Sequence, residues 1–393
     1  MTTARPADLD HAATTRLRPV ARAAMEPFLG DRYGNPSGAH PLARDAVRAV
    51  DEAREQVAEL VGCRPGEVVF TSGGTEADNH AVTGGIPVRS GVPVCSAVEH
   101  PAVLEPVAAL GGRTVAVDPL GRIDLDDLRA VLADIVDRGR TVGVVSVMAA
   151  NNEVGTVNDL DAVADVVRDA APHAVLHTDA VQAAPWLALD RVVAAADLAS
   201  LSAHKFGGPK GVGVLVVRDG TVLAPLLRGG GQERDRRSGT TNVAGVAGLA
   251  AALIATAADR DATTLRISAL RDRLADGLRA TVPGLVETVA PDGDRAHLLP
   301  GLCHVTIDGV DSEPLLLLLE DAGVFASAAS SCSSGAQQAS HVLAALGPAR
   351  PGTGSLRLSL GWDSTGVDVD AALAAVPVAV ERIRSFASAS VGD

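Results

Sequence analysis

The most constraining feature of the sequence is an alternation of short apolar runs with helical patterns between about residues 65 and 217. The runs are rich in Val, Leu and Ala without strict polar alternation, as is typical of strands buried on both faces. They are EVVFTS (67–72), VPVCSA (92–97), RTVAV (113–117), VGVVSVM (142–148), AVLHTD (174–179), ADLASLSA (196–203) and GVGVLVV (211–217). We therefore predict an α/β fold with a mostly parallel sheet covered by helices on both faces.

A second, smaller α+β unit is predicted after this region. The chain has 393 residues, which suits two domains better than one. A long helical pattern covers about 242–281 and could connect the domains. It is followed by the runs CHVTID (303–308) and SLRLSLG (355–361), a helix from 312, and a Ser/Ala-rich segment at 326–340 that reads as a loop.

Charge and composition exclude several classes of function. The formal net charge of −14 disfavours binding to a nucleic-acid backbone, so no direct nucleic-acid partner is predicted. The four cysteines are too far apart for a CxxC zinc pair, and no metal site is predicted. The N-terminus lacks an apolar signal region, and the run LLLLL (315–319) is far too short to span a membrane. We expect a soluble cytoplasmic protein without a membrane partner.

The lysines point to chemistry. Of the 34 basic residues, only Lys205 and Lys210 are lysines. Arginine cannot supply a free amine, whereas a neutralised lysine can form a Schiff base with an aldehyde. The plain alternative is two chance surface lysines in a Gly-rich loop. A phosphate loop is excluded because no Gly-Lys pair exists, and a G-x-G-x-x-G dinucleotide motif after a first strand is also absent.

Two strand ends add to the Lys205 hypothesis. TSGGTEADN (71–79) opens a helix after a strand and would present N–H groups to an anion. An ordinary capped helix without a ligand would show the same sequence pattern. HTDAVQ (177–182) places Asp179 and Gln182 at a strand end, where Asp179 could keep a pyridine nitrogen protonated or merely cap a turn. A phosphate cradle, a carboxylate and a lysine amine together are what pyridoxal 5'-phosphate requires.

The chain resembles the cysteine desulfurases of the class V aminotransferase superfamily, which are fold-type I pyridoxal phosphate enzymes. Ten segments carry the resemblance in order: LDHAATT (9–15), YGNPSGAH (33–40), FTSGGTEADN (70–79), EHPAVL (99–104), VMAANNEVGT (147–156), HTDAVQ (177–182), SLSAHKFGGPKGVG (200–213), RGGGQERDRRSGTTNV (228–243), SSCSSGA (330–336) and SLRLSLG (355–361). Departures are His11 in place of the usual Asn, and AASS before the cysteine in place of SGSA.

The resemblance implies a role for each matching position. Lys205 would bind the cofactor covalently, and Lys205, Cys332 and His100 would be catalytic. The implied cofactor-binding residues are Gly74, Thr75, His100, Asn152, Asp179, Gln182, Ser202, His204, Lys205 and, reaching in from a partner subunit, Thr240. Asn35, Asn152 and Arg357 would bind the substrate carboxylate. The pattern assigns no role to Lys210.

Cys332 decides the reaction class. Its neighbours are serines, which pack poorly and favour a flexible, exposed thiol, whereas Cys63, Cys95 and Cys303 lie in or beside apolar segments. The expected reaction removes sulfur from L-cysteine, releases L-alanine and leaves a persulfide on Cys332. The alternatives are a selenocysteine lyase, another class V C–S lyase or aminotransferase, and a catalytically silent scaffold protein.

The resemblance also sets the expected architecture and partners. It implies a large domain at 16–261 with a seven-stranded sheet, and a small domain formed by 1–15 and 262–393 that carries the cysteine loop at about 323–341. A homodimer is expected, because Thr240 would complete a site only across subunits. The sulfur acceptor stays open: an iron–sulfur scaffold, tRNA thiolation, DNA phosphorothioation or a biosynthetic pathway.

Overall fold

The computed structural model describes residues 5–328, 340–348 and 352–390. The helices are α1 (Pro19–Leu29), α2 (Pro41–Val61), α3 (Gly74–Arg89), α4 (Pro101–Ala109), α5 (Leu125–Asp137), α6 (Leu160–Ala170), α7 (Leu189–Ala194), α8 (Val243–Thr281), α9 (Ser312–Asp321), α10 (His341–Leu346) and α11 (Gly366–Ser390). The strands are β1 (Ala7–Asp8), β2 (Val68–Thr71), β3 (Val92–Ser96), β4 (Arg113–Val115), β5 (Val142–Ser146), β6 (Val175–Asp179), β7 (Leu198–Ser202), β8 (Gly213–Val217), β9 (Leu285–Glu287), β10 (Leu302–Asp308), β11 (Val324–Phe325) and β12 (Thr353–Ser359).

A seven-stranded sheet forms the centre of the fold, with the order β2-β8-β7-β6-β5-β3-β4. Every strand predicted between residues 65 and 217 belongs to it. β8 runs antiparallel to both of its neighbours, and the other pairs are parallel. All residues of β3, β5, β6, β7 and β8 are buried. The predicted α/β class with a mostly parallel sheet is therefore confirmed.

Helices cover both faces of this sheet, as the uninterrupted apolar runs require. α3 and α4 pack on one face, where Ala77, Ala81, Val103 and Val107 join the buried cluster. The other face carries α2, α5, α6 and α8 in the largest hydrophobic cluster of the described residues. Burial on both sides removes water from the sheet, so polar groups within it need partners from the protein.

A separate hydrophobic cluster surrounds a three-stranded antiparallel sheet of order β12-β10-β9. Its members come from the second half of α8, from α9 and from α11. The N-terminal β1 pairs in parallel with β11, and Leu9 and Ala12 are buried in the same cluster. The two-stranded pair was not predicted, because two residues are too few for a recognisable pattern. The predicted domain bounds stay predictions, and α8 passes without a break through the proposed boundary at 261.

α8 is the long connecting helix that the sequence predicts at 242–281, and it has 39 residues. By length and composition, part of α8 could cross a membrane, but 56% of that window is buried inside the protein. It packs against α1 and α2 at one end and against α11 near the other. These contacts are those of a core helix.

The loop between β8 and α8 contains a rare run of left-handed backbone. Glu233, Arg234 and Asp235 have φ angles of 51°, 57° and 63°. Glu233 holds the run in place: its carboxylate accepts hydrogen bonds from both terminal nitrogens of Arg54, at 2.7 and 2.8 Å, and from the Phe70 backbone N–H at 3.0 Å. Such strain persists only where surrounding contacts enforce it.

The exposed Arg234 is the position at which this strain can be relieved. Left-handed backbone costs a non-glycine residue about 1–2 kcal/mol. Glycine avoids that cost but loses about 0.5–1 kcal/mol of stability, because its unfolded chain has more entropy to lose on folding. Arg234→Gly should therefore raise the free energy of unfolding by about 0.5–1 kcal/mol, measured by urea denaturation. Arg228→Gly, in the same loop at a negative φ, is the matched control and should lower stability. Equal effects of the two substitutions would contradict the argument.

Candidate active site

A cavity of about 490 Å³ opens at the carboxyl ends of the sheet strands. Asp179 and Ser202 are the last residues of β6 and β7, and Lys205 ends the 3-10 turn that follows β7. The wall includes ten of the predicted site residues: Gly74, Thr75, His100, Asn152, Asp179, Gln182, Ser202, His204, Lys205 and Arg357. Parallel strands direct their carboxyl ends to one edge, which explains why segments so distant in sequence meet here.

Lys205 lies at the centre of this wall. Its Nζ donates hydrogen bonds to the backbone carbonyls of Ala12 and Ala13, at 2.5 and 2.9 Å. Burial lowers the pKa of Lys205 to about 8, and the positive charge of Arg357 acts in the same direction. A substantial fraction of the amine is therefore neutral near physiological pH, which is what a lysine nucleophile needs.

The N-terminal segment 9–15 closes over the lysine. The Thr15 hydroxyl donates to the His204 carbonyl at 2.7 Å and accepts from the Gly207 N–H at 2.8 Å. His11 does not line the main cavity. Its ring is buried beside Gly361, where a Cβ atom at position 361 would lie 2.1 Å from Nδ1, so only glycine leaves room for this histidine.

One end of the cavity is suited to an anion. α3 starts there at Gly74, so its first N–H groups face the cavity beside Thr75, Ser202 and His204. A side chain at position 74 would approach Val181 to 2.9 Å, so glycine keeps this cradle open. Burial and the charges of Lys205 and Lys210 lower the pKa of His204 to about 4, which makes it a neutral partner.

Asp179 forms the buried floor of the cavity. One of its carboxylate oxygens accepts a hydrogen bond from the Val181 N–H at 2.8 Å. Burial raises the pKa of Asp179, while positive charge on His100 and Lys205 opposes that rise. Gln182 is also buried and donates from Nε2 to the Ala12 carbonyl at 2.8 Å, the carbonyl that Lys205 also contacts.

His100 stands at the mouth of the cavity as the N-cap of α4. Its Nδ1 accepts a hydrogen bond from the Ala102 N–H at 3.1 Å, so Nε2 is the nitrogen available to a ligand. Desolvation lowers the pKa of His100; positive charge on Lys205 and His341 acts with it, and Asp179 acts against it. The neutral ring can accept a proton during a reaction.

Arg357 and Asn152 form the wall next to β12. The Arg357 guanidinium donates to the Asn152 backbone carbonyl at 3.0 Å and to a carboxylate oxygen of Asp10 at 2.7 Å. These two contacts fix the plane of the guanidinium at the cavity wall. The neighbouring Asn151 is buried instead, and its amide ties the Val98 carbonyl to the N–H groups of Glu153 and Val154.

Three predicted residues are not in this wall. Asn35 lies in an exposed loop, where its side chain accepts from the Ser37 N–H. Thr240 lines a small neighbouring cavity of about 80 Å³ with Arg237, whose guanidinium pairs with Glu76 near the start of α3. Cys332 lies outside the described residues. The roles predicted for these three residues stay predictions.

The structure adds residues that the sequence analysis did not single out: Asp10, Asp78, Met148, Glu153 and Ser327 also line the cavity. Asp78 and Asp10 belong to the quoted segments 71–79 and 9–15. The sequence analysis identified these motifs but did not show that the two side chains face the cavity. Helical spacing could have found Asp78, which follows Gly74 by one turn and therefore shares its face.

Lys210 lies at a second opening beside the anion cradle. This cleft of about 370 Å³ is lined by Lys210 together with Gly74, Thr75, Ser202 and His204. The two lysines thus lie on either side of the residues that form the cradle. Sequence alone left Lys210 without a function.

The three cysteines that the structure describes have unreactive thiols. Cys63, Cys95 and Cys303 are unpaired, and none of them lines the main cavity. Burial raises the pKa of the Cys63 thiol to about 11 and that of Cys303 to about 12, and it also raises the pKa of Cys95. Protonated, buried thiols are poor nucleophiles, as the sequence analysis expects of these three.

Several known proteins are similar to this chain in sequence and in fold. A family model described as Aminotransferase class-V matches residues 8–372. An IscS-like cysteine desulfurase of Mycobacterium tuberculosis is 42% identical over 98% of both chains. A cysteine desulfurase of Gluconacetobacter diazotrophicus is 39% identical over 96% of this chain and 94% of its own. A solved NifS-like protein superposes with a TM-score of 0.84 at 31% identity, covering 98% of this chain and 99% of its own.

The lowered pKa of Lys205 can be measured directly, because Lys210→Arg leaves one lysine in the chain. The rate of labelling by an amine reagent should follow the neutral amine, with a midpoint near pH 8. Arg357→Gln removes a neighbouring positive charge and should raise that midpoint by about 0.5–1 pH unit. Peptide mapping by mass spectrometry identifies the labelled site, with Lys205→Arg as the control. A midpoint above 10 that Arg357→Gln leaves unchanged would contradict the site's electrostatics.

Proposed function

The chain belongs to the class V aminotransferase family, and on that premise we propose that it is a cysteine desulfurase that uses pyridoxal 5'-phosphate. The enzyme takes sulfur from L-cysteine, releases L-alanine and holds the sulfur as a persulfide on Cys332. One observation carries the proposal: Lys205, Asp179, His100 and the anion cradle at Gly74 line a single cavity at the sheet edge.

The residues present fit the cofactor. The cavity volume of about 490 Å³ suits a ligand of this size, and its ends match the molecule's chemistry. The N-terminus of α3 with Thr75, Ser202 and His204 would hold the phosphate, and Lys205 would anchor the aldehyde. Asp179 would pair with the ring nitrogen, Gln182 would contact the phenolic oxygen, and His100 would lie over the ring. When bound, the cofactor supplies a ring that takes up the electron pair released at the substrate Cα.

Side chains of the protein bind the substrate and transfer its protons. Arg357, with Asn152 beside it, binds the substrate carboxylate, because the guanidinium fork matches two carboxylate oxygens. The Lys205 Nζ, neutral above about pH 8, takes the proton from the substrate Cα. His100 holds or donates a proton near the substrate sulfur through Nε2, since Nδ1 is occupied by the Ala102 N–H.

Cys332 performs the step that distinguishes a desulfurase. Its thiolate attacks the sulfur of the substrate, and the carbon–sulfur bond breaks with its electron pair left on Cβ. A proton then converts Cβ to the methyl group of L-alanine, and the sulfur stays on Cys332 as a persulfide for a later transfer. Ser340 and His341, which follow the cysteine segment, lie beside the cavity: the Ser340 hydroxyl donates to Glu153 at 2.5 Å and His341 contacts the Glu99 carbonyl at 2.9 Å. His341 therefore lies close enough to His100 for its charge to lower the pKa of that ring.

The expected assembly follows from the same assignments. Thr240 has its role only if a second copy brings its cavity to it, so the proposal includes a homodimer. A protein acceptor receives the sulfur from Cys332, and its identity is not part of the proposal. A cytoplasmic location also stays a prediction.

The first test is the fate of sulfur after incubation with L-cysteine. Mass spectrometry should find one additional sulfur on the peptide that carries Cys332, together with free alanine. Cys332→Ser should abolish the persulfide and reduce alanine formation by about 100-fold or more, because it removes the nucleophile. Cys63→Ser, the matched control for a buried thiol, should keep both products. Full alanine formation by Cys332→Ser would instead indicate a lyase.

Lys210 should contribute to phosphate binding from the second opening of the cradle. Lys210→Ala removes an exposed positive charge and should weaken cofactor binding about two- to fivefold at low salt, an effect that salt screens. Lys210→Arg keeps the charge and should bind as the unmodified protein does. Spectral titration of the cofactor-free protein measures both. Identical affinities for all three proteins would mean that Lys210 takes no part.

A further inference from the structure

Asp78 is a buried carboxyl group that the proposed reaction does not use. It lies on the first turns of α3, is 1% exposed, and belongs to the floor of the cavity beside Asp179. Asp78 and Asp179 line the same cavity and lie close enough for one carboxyl group to donate to the other. Two carboxylates in such contact cannot both be ionised, so one of them carries a proton.

The surroundings decide where the proton resides. Asp179 accepts the Val181 N–H, and positive charge on Lys205 and His100 favours its anion. Asp78 faces two acids, Asp179 and Glu99, and the hydroxyl of Ser200. Within the described residues no donor forms a hydrogen bond to Asp78 Oδ1, and His177 Nε2 is 3.6 Å away. A buried oxygen without a donor suits a neutral carboxyl group and not a carboxylate.

We propose that Asp78 is a positioning residue of the site: its carboxyl group is protonated and donates its hydrogen bond to the Asp179 carboxylate. This keeps Asp179 as a single, oriented anion that would pair with the ring nitrogen. The inference rests on the proposed function, in which Asp179 is the partner of that nitrogen. Burial together with repulsion from Asp179 raises the pKa of Asp78 well above its ordinary value, in agreement with the geometry.

A hydrogen-bonded chain behind Asp78 supports this protonation. Ser200 Oγ lies 2.9 Å from His177 Nε2, and Ser146 Oγ lies 2.8 Å from His177 Nδ1. Burial lowers the pKa of His177 to about 3, so the ring is neutral and has one donor and one acceptor. If Ser200 donates to Asp78, it accepts from Nε2–H, and the Ser146 hydroxyl must donate to Nδ1.

The chain ends at a second buried acid. Ser146 Oγ and Glu99 Oε2 are 3.5 Å apart, and Glu99 Oε1 accepts the Met148 N–H at 2.6 Å. Burial raises the pKa of Glu99 well above its ordinary value, while the Met148 N–H and the Ser146 hydroxyl act against that rise. From Ser146 onward the donors run in one direction, through His177, Ser200 and Asp78 to Asp179. Of the two aspartates, Asp179 at the cavity floor then carries the negative charge.

The test compares Asp78→Asn with Asp78→Ala. An asparagine amide imitates a protonated carboxyl group, because its NH2 group is uncharged and can donate to the Asp179 carboxylate. Asp78→Asn should bind pyridoxal phosphate within twofold of the unmodified protein, and the pH at which the visible band of the bound cofactor changes should not move. Asp78→Ala removes the donor and should weaken binding about tenfold and shift that pH by about one unit. Equal behaviour of the two variants would overturn the proposal.

Infrared spectroscopy tests the proton itself, independently of the cofactor. The protein should show the carbonyl stretch of a protonated, buried carboxyl group at neutral pH, and Asp78→Asn should remove it. Glu99→Gln changes the neighbouring buried acid and is the control for assigning the band, since it should leave in place the band that Asp78→Asn removes. Loss of only a carboxylate band in Asp78→Asn would overturn the proposal. If the unmodified protein binds no pyridoxal phosphate, the proposed function fails while this measurement still decides the state of Asp78.

Discussion

The active site depends on one buried negative charge, that of Asp179, at a place largely shielded from water. Burial alone would neutralise this carboxyl group, and its ionisation is supported by the Val181 N–H, Lys205 and His100. Those groups come from the turn after β6, from the turn after β7 and from the start of α4, so the sheet must be complete before the charge is tolerated. Asp179 in turn limits how far the pKa of Lys205 falls. Asp179 and Lys205 therefore each shift the pKa of the other.

The N-terminal segment connects this site to the rest of the fold. β1 pairs with β11 near one end of the cysteine segment, and the carbonyls of Ala12 and Ala13 hold the Lys205 amine. Asp10, between these two regions, orients Arg357. A short stretch of chain therefore couples the position of the nucleophile to that of the carboxylate-binding arginine. If Lys205 anchors the cofactor, its amine would exchange hydrogen bonds with these two carbonyls for the new covalent bond.

The sequence predicted the sheet, the connecting helix and most of the cavity wall because each depends on local patterns. Apolar runs identified all seven strands of the central sheet, with ends within about two residues, and the motifs after them supplied Lys205, Asp179 and Gly74. Asp78 and Asp10 were missed because their importance comes from which side chains they face, and direction depends on the assembled layers. The left-handed run at Glu233 was also invisible, since its cause is an ion pair with Arg54, 179 positions away. Asn35 and Thr240 stay predictions because neither lines the main cavity, and Cys332 stays one because it lies outside the described residues.

The two lysines of this arginine-rich chain now have distinct physical explanations. At position 205 the amine must lose its proton near neutral pH, and an arginine in the same buried place would stay charged beside Arg357. At position 210 no such demand exists, since an arginine would supply the same charge to the cradle. The first position is therefore constrained by acid–base chemistry and the second only by charge. This difference explains why the resemblance assigned a function to Lys205 and none to Lys210, although both border the same anion site.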